Sequence, residues 1–302
     1  MSVGVALQAA VTGLAQGAVY GLVALGFTLC YRLVRVLSFA HGDLIAGATF
    51  TAVLVTVGTT PVLRTPSVSI AVAQVALALA TGAALGALLY VVAVRPFGGE
   101  LGWVAATVTA GLVVREALGL VLTREAYNVA DPLRLPAREV GLPDGASFPL
   151  RLVAVLAIGL AVGAAVDRLL VHSRYGRAMR AVADDRDAAA LMGVPTGRVV
   201  LVAFAVAGLL AGVAGLLSAP AGPVTVSGGV VLGLKGTTAA LLGRLGSARG
   251  AIAGGLALGV VEAFVVASSL GPAYRDVLAL GLLVVVLAVR PEGLRAPGVA
   301  RP

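Results

Sequence analysis

The run VVLVAFAVAGLLAGVAGLLS, residues 199–218, holds twenty consecutive residues without an ionisable side chain. A helix of about 20 apolar residues crosses the roughly 30 Å hydrocarbon core of a membrane. Comparable apolar runs recur along the chain, at about residues 5–31, 38–58, 68–93, 102–122, 150–171, 250–270 and 275–290. The pattern predicts an all-α, polytopic transmembrane helical bundle of about eight spans. A shorter apolar piece at 229–243 adds a possible half-helix.

Composition also indicates a chain that lies in lipid. Hydrophobic residues make up 59% of the 302 residues and charged residues 12%, whereas soluble domains carry roughly 45–50% and 25%. We therefore expect a multi-pass protein of the plasma (inner) membrane, with the lipid bilayer as its surroundings. The net charge of +8 does not indicate nucleic-acid binding, because the arginines stand singly between apolar runs and do not cluster with aromatic residues.

No catalytic chemistry is expected from this sequence. It contains no GxxxxGK[ST] phosphate-binding loop and no HExxH or CxxC motif. Two histidines and a single cysteine, Cys30, are too few for a typical catalytic metal site. We predict that the chain is not an enzyme, has no catalytic residues, and binds neither a cofactor nor a metal.

The distribution of arginine predicts the orientation of the single transmembrane domain that we expect over 1–302. The stretch 172–198 has an excess of arginine over aspartate, which predicts a cytoplasmic loop. The stretch 123–149 has no such excess, so we expect an external loop there and an external N-terminus. The arginine-containing tail falls inside only if 229–243 makes an additional crossing, and we favour that version.

The cytoplasmic loop contains a short segment with its own start and stop signals. DDRDAAALMGVP, beginning at Asp184, predicts an isolated helix over 186–192. Asp184 or Asp185 suits the N-cap, while Gly193 suits the position after the helix and Pro195 blocks its continuation. Such an element favours a docking surface for a soluble partner. A merely well-capped connector is the alternative.

Several ionisable residues lie at membrane depth, where each costs roughly 2.5–3.5 kcal/mol at a helix centre. His41 and Asp43 line or gate a translocation route, or they pair with each other or with the cytoplasmic loops. Glu262 must face the protein interior, where it contacts substrate or pairs with a residue such as Lys235. The candidates for a translocation path or gate are Phe39, His41, Gly42, Asp43, Lys235 and Glu262.

Glycine and proline indicate two further features. Gly250/Gly254 and Gly255/Gly259 have the small-xxx-small spacing that lets helices approach closely. The stretch 219–229 is rich in both residue types, so we expect an unwound region there. Such a break either presents backbone amides to a carboxylate or is an ordinary external loop.

Four segments together carry a resemblance to a known family. The run Asp187-Ala188-Ala189-x-x-x-Gly193 is similar to the EAA loop of ABC-importer permeases, with Asp in place of the leading Glu and without the Ile-x-Leu-Pro ending of the broader pattern. Three others resemble the branched-chain amino acid permease family, and within it the shorter of two paired permeases: SFAHGD at 38–43, SRYGRAMRAVADD at 173–185 and GRLGSARGAIAGGLALGVVEA at 243–263.

The resemblance implies a membrane-spanning permease subunit of an ABC importer for branched-chain or related amino acids. The implied partners are a second homologous permease, two cytoplasmic ABC ATPases that drive transport, and an external substrate-binding protein. It also implies that coupling to the ATPases lies with Arg177, Asp184, Asp187, Ala188, Ala189 and Gly193. The alternative is an ion-coupled secondary transporter of a small polar solute, with Glu262 or Asp43 as its ion site.

Overall fold

The structure is a computed structural model and describes residues 2–35, 38–57, 67–97, 100–121, 127–129, 131–133, 138–268, 271 and 274–289. Within these ranges the chain forms eleven α-helices. They are α1 (Val3–Val34), α2 (His41–Val57), α3 (Val68–Leu89), α4 (Glu100–Val121), α5 (Arg151–His172), α6 (Arg174–Asp184), α7 (Arg186–Leu191), α8 (Thr196–Ser218), α9 (Gly228–Leu242), α10 (Ala248–Ala267) and α11 (Tyr274–Val289). A π-helical stretch, Tyr90–Val94, continues α3.

The predicted transmembrane bundle is confirmed. Each predicted span coincides with a helix, and six of these helices are long and apolar enough to cross a membrane: α1, α3, α4, α5, α8 and α10. Helices α2 and α11 are shorter, with 17 and 16 residues. The predicted half-helix is α9, with 15 residues. In the predicted external loop, β1 (Glu139–Gly141) and β2 (Ser147–Pro149) form an antiparallel hairpin that the sequence did not lead us to expect.

Helix α1 lies at the centre of the bundle and packs antiparallel against α10. Gly13 lies against Val260, and Gly17 lies against Leu256. A Cβ atom at either glycine would lie 2.7 Å from a Cα atom of α10, so only glycine permits this approach. Gly255 and Gly259 lie on the facing side of α10, and the packing role predicted from their spacing is confirmed.

The helices define two ends of the bundle. One end carries the stretch 172–198, which we call the coupling loop after the role predicted for it, and we call this end the coupling-loop end. There the guanidinium of Arg35, just after α1, donates to the carbonyl of Ala183 in α6 (3.0 Å). At the opposite end, the amide of Gly4 donates to the carboxylate of Asp144 (3.4 Å). The predicted external and cytoplasmic loops therefore lie at opposite ends.

Helix α9 connects the end of α8 with the start of α10, and these two points lie at opposite ends of the bundle. The carbonyl of Leu217, near the end of α8, accepts from Arg151 at the start of α5 (2.7 Å), so α8 ends at the opposite end. Arg249, near the start of α10, pairs with Asp167 of α5 (2.9 Å) toward the coupling-loop end. This agrees with the additional crossing predicted for 229–243. The arginines of the tail, at 290, 295 and 301, lie outside the described residues.

The predicted unwound region between α8 and α9 is present. Helix α8 ends at Ser218, a single 3-10 turn follows, and α9 begins at Gly228. Between them, Val224 exchanges two backbone hydrogen bonds with Tyr127 of the predicted external loop, of 3.0 and 2.8 Å. The break is thus hydrogen-bonded to the stretch 123–149.

Candidate functional site

A cavity of about 400 Å³ lies beside the break, toward the opposite end of the bundle. The break itself forms one wall, through Ala219 and residues 221–225. The remaining lining is mostly apolar and comes from α1, α2, α5, α8 and α9; it includes Ala15, Val19, Ile45, Leu152, Val155 and Leu232. Ionisable side chains complete the lining: Tyr20, Arg151, Lys235, Arg275 and Asp276. Its size falls within the roughly 300–1,000 Å³ of small-molecule sites.

Four charged side chains from three helices form a cluster beside this cavity. The ammonium of Lys235 in α9 lies 3.0 Å from one carboxylate oxygen of Glu262 in α10 and 2.7 Å from the carboxylate of Asp276 in α11. The guanidinium of Arg275 lies 3.1 Å from the other oxygen of Glu262. We call these four residues the charge cluster. With two cations and two anions, its formal charge is zero.

Side chains of α1 add hydrogen bonds to the charge cluster. The hydroxyl of Tyr20 donates to Glu262 (2.7 Å) and accepts from Arg275 (3.0 Å). Arg275 also donates to the amide oxygen of Gln16, and the Lys235 ammonium lies 5.6 Å from the Tyr20 ring centroid. Glu262 is 0% exposed. Burial of a carboxylate is costly unless it is paired and hydrogen-bonded, and Glu262 is both.

Pairing with Lys235, one of the two alternatives given for Glu262, is present in the structure, whereas the alternative that pairs His41 with Asp43 is wrong. Asp43 instead pairs with Arg115 of α4, at 2.9 Å. The His41 ring is buried against the Phe27 ring, with 4.6 Å between centroids. The reason is geometric, because α2 begins at His41 and side chains two positions apart on a helix point to nearly opposite sides, about 200° apart.

Asp43 and Arg115 line a second, smaller cavity of about 190 Å³. Phe39 and Gly42 also line it, together with residues of α4 and α9. Gly42 joins the two regions, since a Cβ atom there would lie 2.7 Å from the carbonyl oxygen of Gly229 near the start of α9. Of the residues predicted for a path or gate, Phe39, Gly42 and Asp43 thus line the smaller cavity and Lys235 lines the larger one. His41 and Glu262 are buried and line neither.

The predicted short helix of the cytoplasmic loop is α7. Its N-cap is Asp185, whose carboxylate accepts from the amides of Asp187 and Ala188 at 2.9 Å each. Asp184 ends the preceding helix instead. Gly193 has φ +80°, the left-handed conformation expected after a helix. Both start and stop signals therefore act as predicted, with Asp185 in the capping role.

Helix α6 attaches this short helix firmly to the bundle. Arg180 donates to the carbonyls of Leu170 and Val171, and Arg177 donates to that of His172, so both satisfy the C-terminal carbonyls of α5. The apolar side of α6 is buried, through Met179 and Val182. Arg177 and Arg180 thus anchor the loop to the bundle, a role that the sequence did not reveal.

Helix α7 contacts the bundle through one buried residue, Ala189, and its remaining surface faces outward. Ala188 and Asp187 are exposed. Leu191 is 89% exposed and Met192 84% exposed. Large apolar side chains in such positions, on a rigidly held element, are characteristic of a surface that another protein covers.

Sequence reasoning missed most residues that surround Glu262 and Lys235. Arg275 and Asp276 stand at the first turn of α11 and look like ordinary charges at the start of a span. Gln16 and Tyr20 are the polar positions of an otherwise apolar stretch of α1, and that contrast was the available signal. Arg151, which pairs with Asp131 at 3.0 Å, was hidden in the same way at the start of α5.

The family model for "Branched-chain amino acid transport system / permease component" matches residues 9–287. The chain belongs to this family. The permease is 31% identical over 293 residues to the high-affinity branched-chain amino acid transport system permease protein BraD of Pseudomonas aeruginosa, covering 95% of each chain. It is 30% identical over 292 residues to LivH, the permease protein of the same description, from Escherichia coli K12 and from Salmonella typhimurium, covering 95% of this chain and 94% of each relative.

These matches confirm the predicted identity as a transport permease and the multi-pass location in the inner membrane. The relatives are described as permease proteins, not as enzymes. The matched range includes all or most of each of the eleven helices. Only the first residues of α1 and the last residues of α11 lie outside it. The cavity, the charge cluster and the loop 172–198 all lie within the matched range.

Proposed function

We propose that the permease moves branched-chain or related amino acids inward, driven by two cytoplasmic ABC ATPases. A second homologous permease completes the membrane pathway, and an external substrate-binding protein delivers the amino acid. The observation that carries this proposal is α7, a capped helix with Leu191 and Met192 exposed at one end of the bundle. It supports ATPase docking because α7 exposes apolar side chains on a chain that lacks a nucleotide-binding motif of its own.

The attachment of α7 suggests how closure of the ATPases reaches the membrane. A force on α7 passes through α6 to the C-terminal end of α5, by way of Arg177 and Arg180. It also passes directly to α8, which begins at Thr196 immediately after the loop. The far ends of α5 and α8 carry Arg151 and the break at 219–227, and both line the larger cavity. Two helices thus connect the coupling loop to the cavity without an intermediate.

The cavity suits the transit of a small zwitterion with an aliphatic side chain. Apolar side chains, including Val19, Ile45 and Val155, provide a surface for the aliphatic part. Arg151, Lys235, Arg275 and Asp276 offer charges of both signs, as a carboxylate and an ammonium group require. We propose that this cavity belongs to the translocation path, and that Phe39, Gly42 and Asp43 at the smaller cavity form its continuation toward the coupling-loop end.

The pairing of the buried carboxylates favours this proposal over an ion-coupled secondary transporter. Glu262 pairs with Lys235 and Arg275, and Asp43 pairs with Arg115. A proton- or sodium-binding carboxylate must exchange its charge partner during transport, and here fixed cations already occupy that position.

The proposal is tested by reconstituting the permease with its partner permease, both ATPases and the binding protein in proteoliposomes. We expect leucine uptake that depends on ATP and persists after the ion gradients are dissipated. Uptake by the permease alone, without ATP, would favour the secondary transporter.

The docking role of α7 is tested by Leu191→Glu and Asp187→Arg, which alter exposed side chains and leave the fold intact. We expect both variants to lose at least tenfold in ATPase co-purification and in uptake, a factor equal to about 1.4 kcal/mol of binding. The matched control is Val3→Glu, which places the same charge at another exposed apolar position at the opposite end of the bundle. Full ATPase recovery with the α7 variants would contradict the docking role.

A further inference from the structure

The two carboxylates of the charge cluster, Glu262 and Asp276, differ in burial and in the number of their partners. Glu262 is fully buried, forms ion pairs with both cations, and accepts hydrogen bonds from Arg275 and from the hydroxyl of Tyr20. The side chain of Asp276 is 61% exposed and forms an ion pair with Lys235, at 2.7 Å. Solvent competes with an exposed ion pair and makes it weak. Asp276 can therefore leave Lys235, whereas Glu262 cannot.

If Asp276 turns away, the cluster keeps Lys235 and Arg275 against Glu262 alone. One positive charge is then uncompensated, and it faces the larger cavity, which both cations line. The side chain of Lys235 is only 5% exposed, so water compensates this charge poorly. A carboxylate entering the cavity would restore the balance that Asp276 provides in this structure.

We propose that Lys235, together with Arg275, forms a carboxylate-binding subsite that Asp276 occupies in the absence of ligand. An amino acid displaces Asp276 and places its own carboxylate on Lys235. The released Asp276 carboxylate remains at the cavity, where it accepts a hydrogen bond from the ligand's ammonium group. The aliphatic side chain lies against the apolar lining contributed by Val19, Ile45 and Val155.

This subsite deepens the proposed function and rests on it, since it names the chemical group that the path recognises. It also assigns opposite roles to the two carboxylates of the charge cluster. Glu262 pairs with both cations and holds them in position. Asp276 competes with the ligand for one of them. A purely structural ion pair would give Asp276 no such competing role.

The test measures equilibrium binding to the assembled permeases and ATPases in lipid nanodiscs, with the binding protein omitted. The probes are leucine, 4-methylpentanoate, which lacks the ammonium group, and leucinamide, which lacks the carboxylate. We expect Asp276→Asn to bind 4-methylpentanoate about fivefold more tightly than the wild type, because its competitor is gone; this factor corresponds to about 1 kcal/mol. Leucine should gain less, because the variant also loses the partner of the ammonium group.

Leucinamide should bind neither the wild type nor Asp276→Asn. Lys235→Met should lose carboxylate binding, and Lys235→Arg should restore part of it. The matched control is Asp167→Asn, which breaks the ion pair with Arg249 toward the coupling-loop end and should leave all affinities unchanged.

The subsite is refuted if Asp276→Asn binds 4-methylpentanoate no more tightly than the wild type does, or if leucinamide binds as well as leucine. Uptake of leucine by the same preparation, with the binding protein and ATP added, separates this failure from failure of the transport proposal. ATP-driven uptake with unchanged binding would overturn the subsite alone. Absence of uptake by the wild-type assembly would overturn the proposed function.

Discussion

Replacement of Glu262 by glutamine isolates the electrostatic contribution of the charge cluster. The substitution keeps the volume of the side chain, so it opens no cavity. Its amide oxygen can still accept from the hydroxyl of Tyr20, which lies 2.7 Å from the carboxylate. The main change is in charge, because the cluster passes from zero to +1 while Lys235, with a 5% exposed side chain, stays buried.

Loss of one partner from a buried ion pair costs about 3–5 kcal/mol. The loss here should lie near the lower limit, because Lys235 keeps Asp276 and Arg275 keeps Gln16 and Tyr20. We therefore expect Glu262→Gln to lower the free energy of unfolding by about 3 kcal/mol. Equilibrium unfolding in mixed micelles measures it, followed by circular dichroism and by fluorescence of Trp103, the single tryptophan of the chain.

The double variant Glu262→Gln/Lys235→Met separates charge imbalance from lost contacts. Its remaining charges, on Arg275 and Asp276, again sum to zero. Replacing a buried ion pair by uncharged groups often leaves the stability unchanged. We expect its stability to return to within about 1 kcal/mol of the wild type. The reasoning fails if Glu262→Gln is as stable as the wild type, or if the double variant loses the sum of both single effects.

Three further predictions concern other contacts of the permease. Asp185→Ala removes the cap of α7 and should lower the local stability of that helix by about 1 kcal/mol, seen as faster amide hydrogen exchange over 186–191. Gly17→Leu places a Cβ atom 2.7 Å from the backbone of α10 and should lower the free energy of unfolding by at least about 1–3 kcal/mol in the micelle assay. The control Gly281→Leu has nothing within 4 Å of the added Cβ atom and should leave that free energy unchanged. Equal losses in the two variants would contradict the packing argument. Arg115→Met leaves the carboxylate of Asp43, whose side chain is 4% exposed, without its ion-pair partner. It should lower the free energy of unfolding by at least about 2 kcal/mol in the same assay, and adding Asp43→Asn should recover most of that loss. No recovery would show that packing, not charge, holds α2 and α4 together.

The local features of the sequence predicted the structure well, because their causes are local. Apolar runs are enough to define a helix in lipid, and the bounds agree within a few residues, as for 250–270 and Ala248–Ala267. The cap of α7 also depends on neighbours only. Even there, two adjacent aspartates were equally suitable, and the C-terminus of α6 decided between them by including Asp184.

The partners of the buried charges could not be predicted, because they depend on how the helices face each other. Asp43 and Arg115 are 72 positions apart, and nothing along the sequence relates the face of α2 to the face of α4. Lys235 was proposed for Glu262 from charge alone. The second partner of Lys235 is Asp276, in the first turn of α11. That position suggested an ordinary charge near the membrane surface.

The contact between Gly42 and the start of α9 has a consequence for motion. Backbone meets backbone there, with a Cβ atom at Gly233 also excluded by the Cα atom of Gly42 at 2.8 Å. Interlocked side chains must change rotamer before two helices can slide, whereas a smooth surface without side chains permits shear. At this junction between the two cavities, α2 can therefore slide along α9 with little steric resistance. A methyl group added at Gly42 or Gly233 would hinder that sliding.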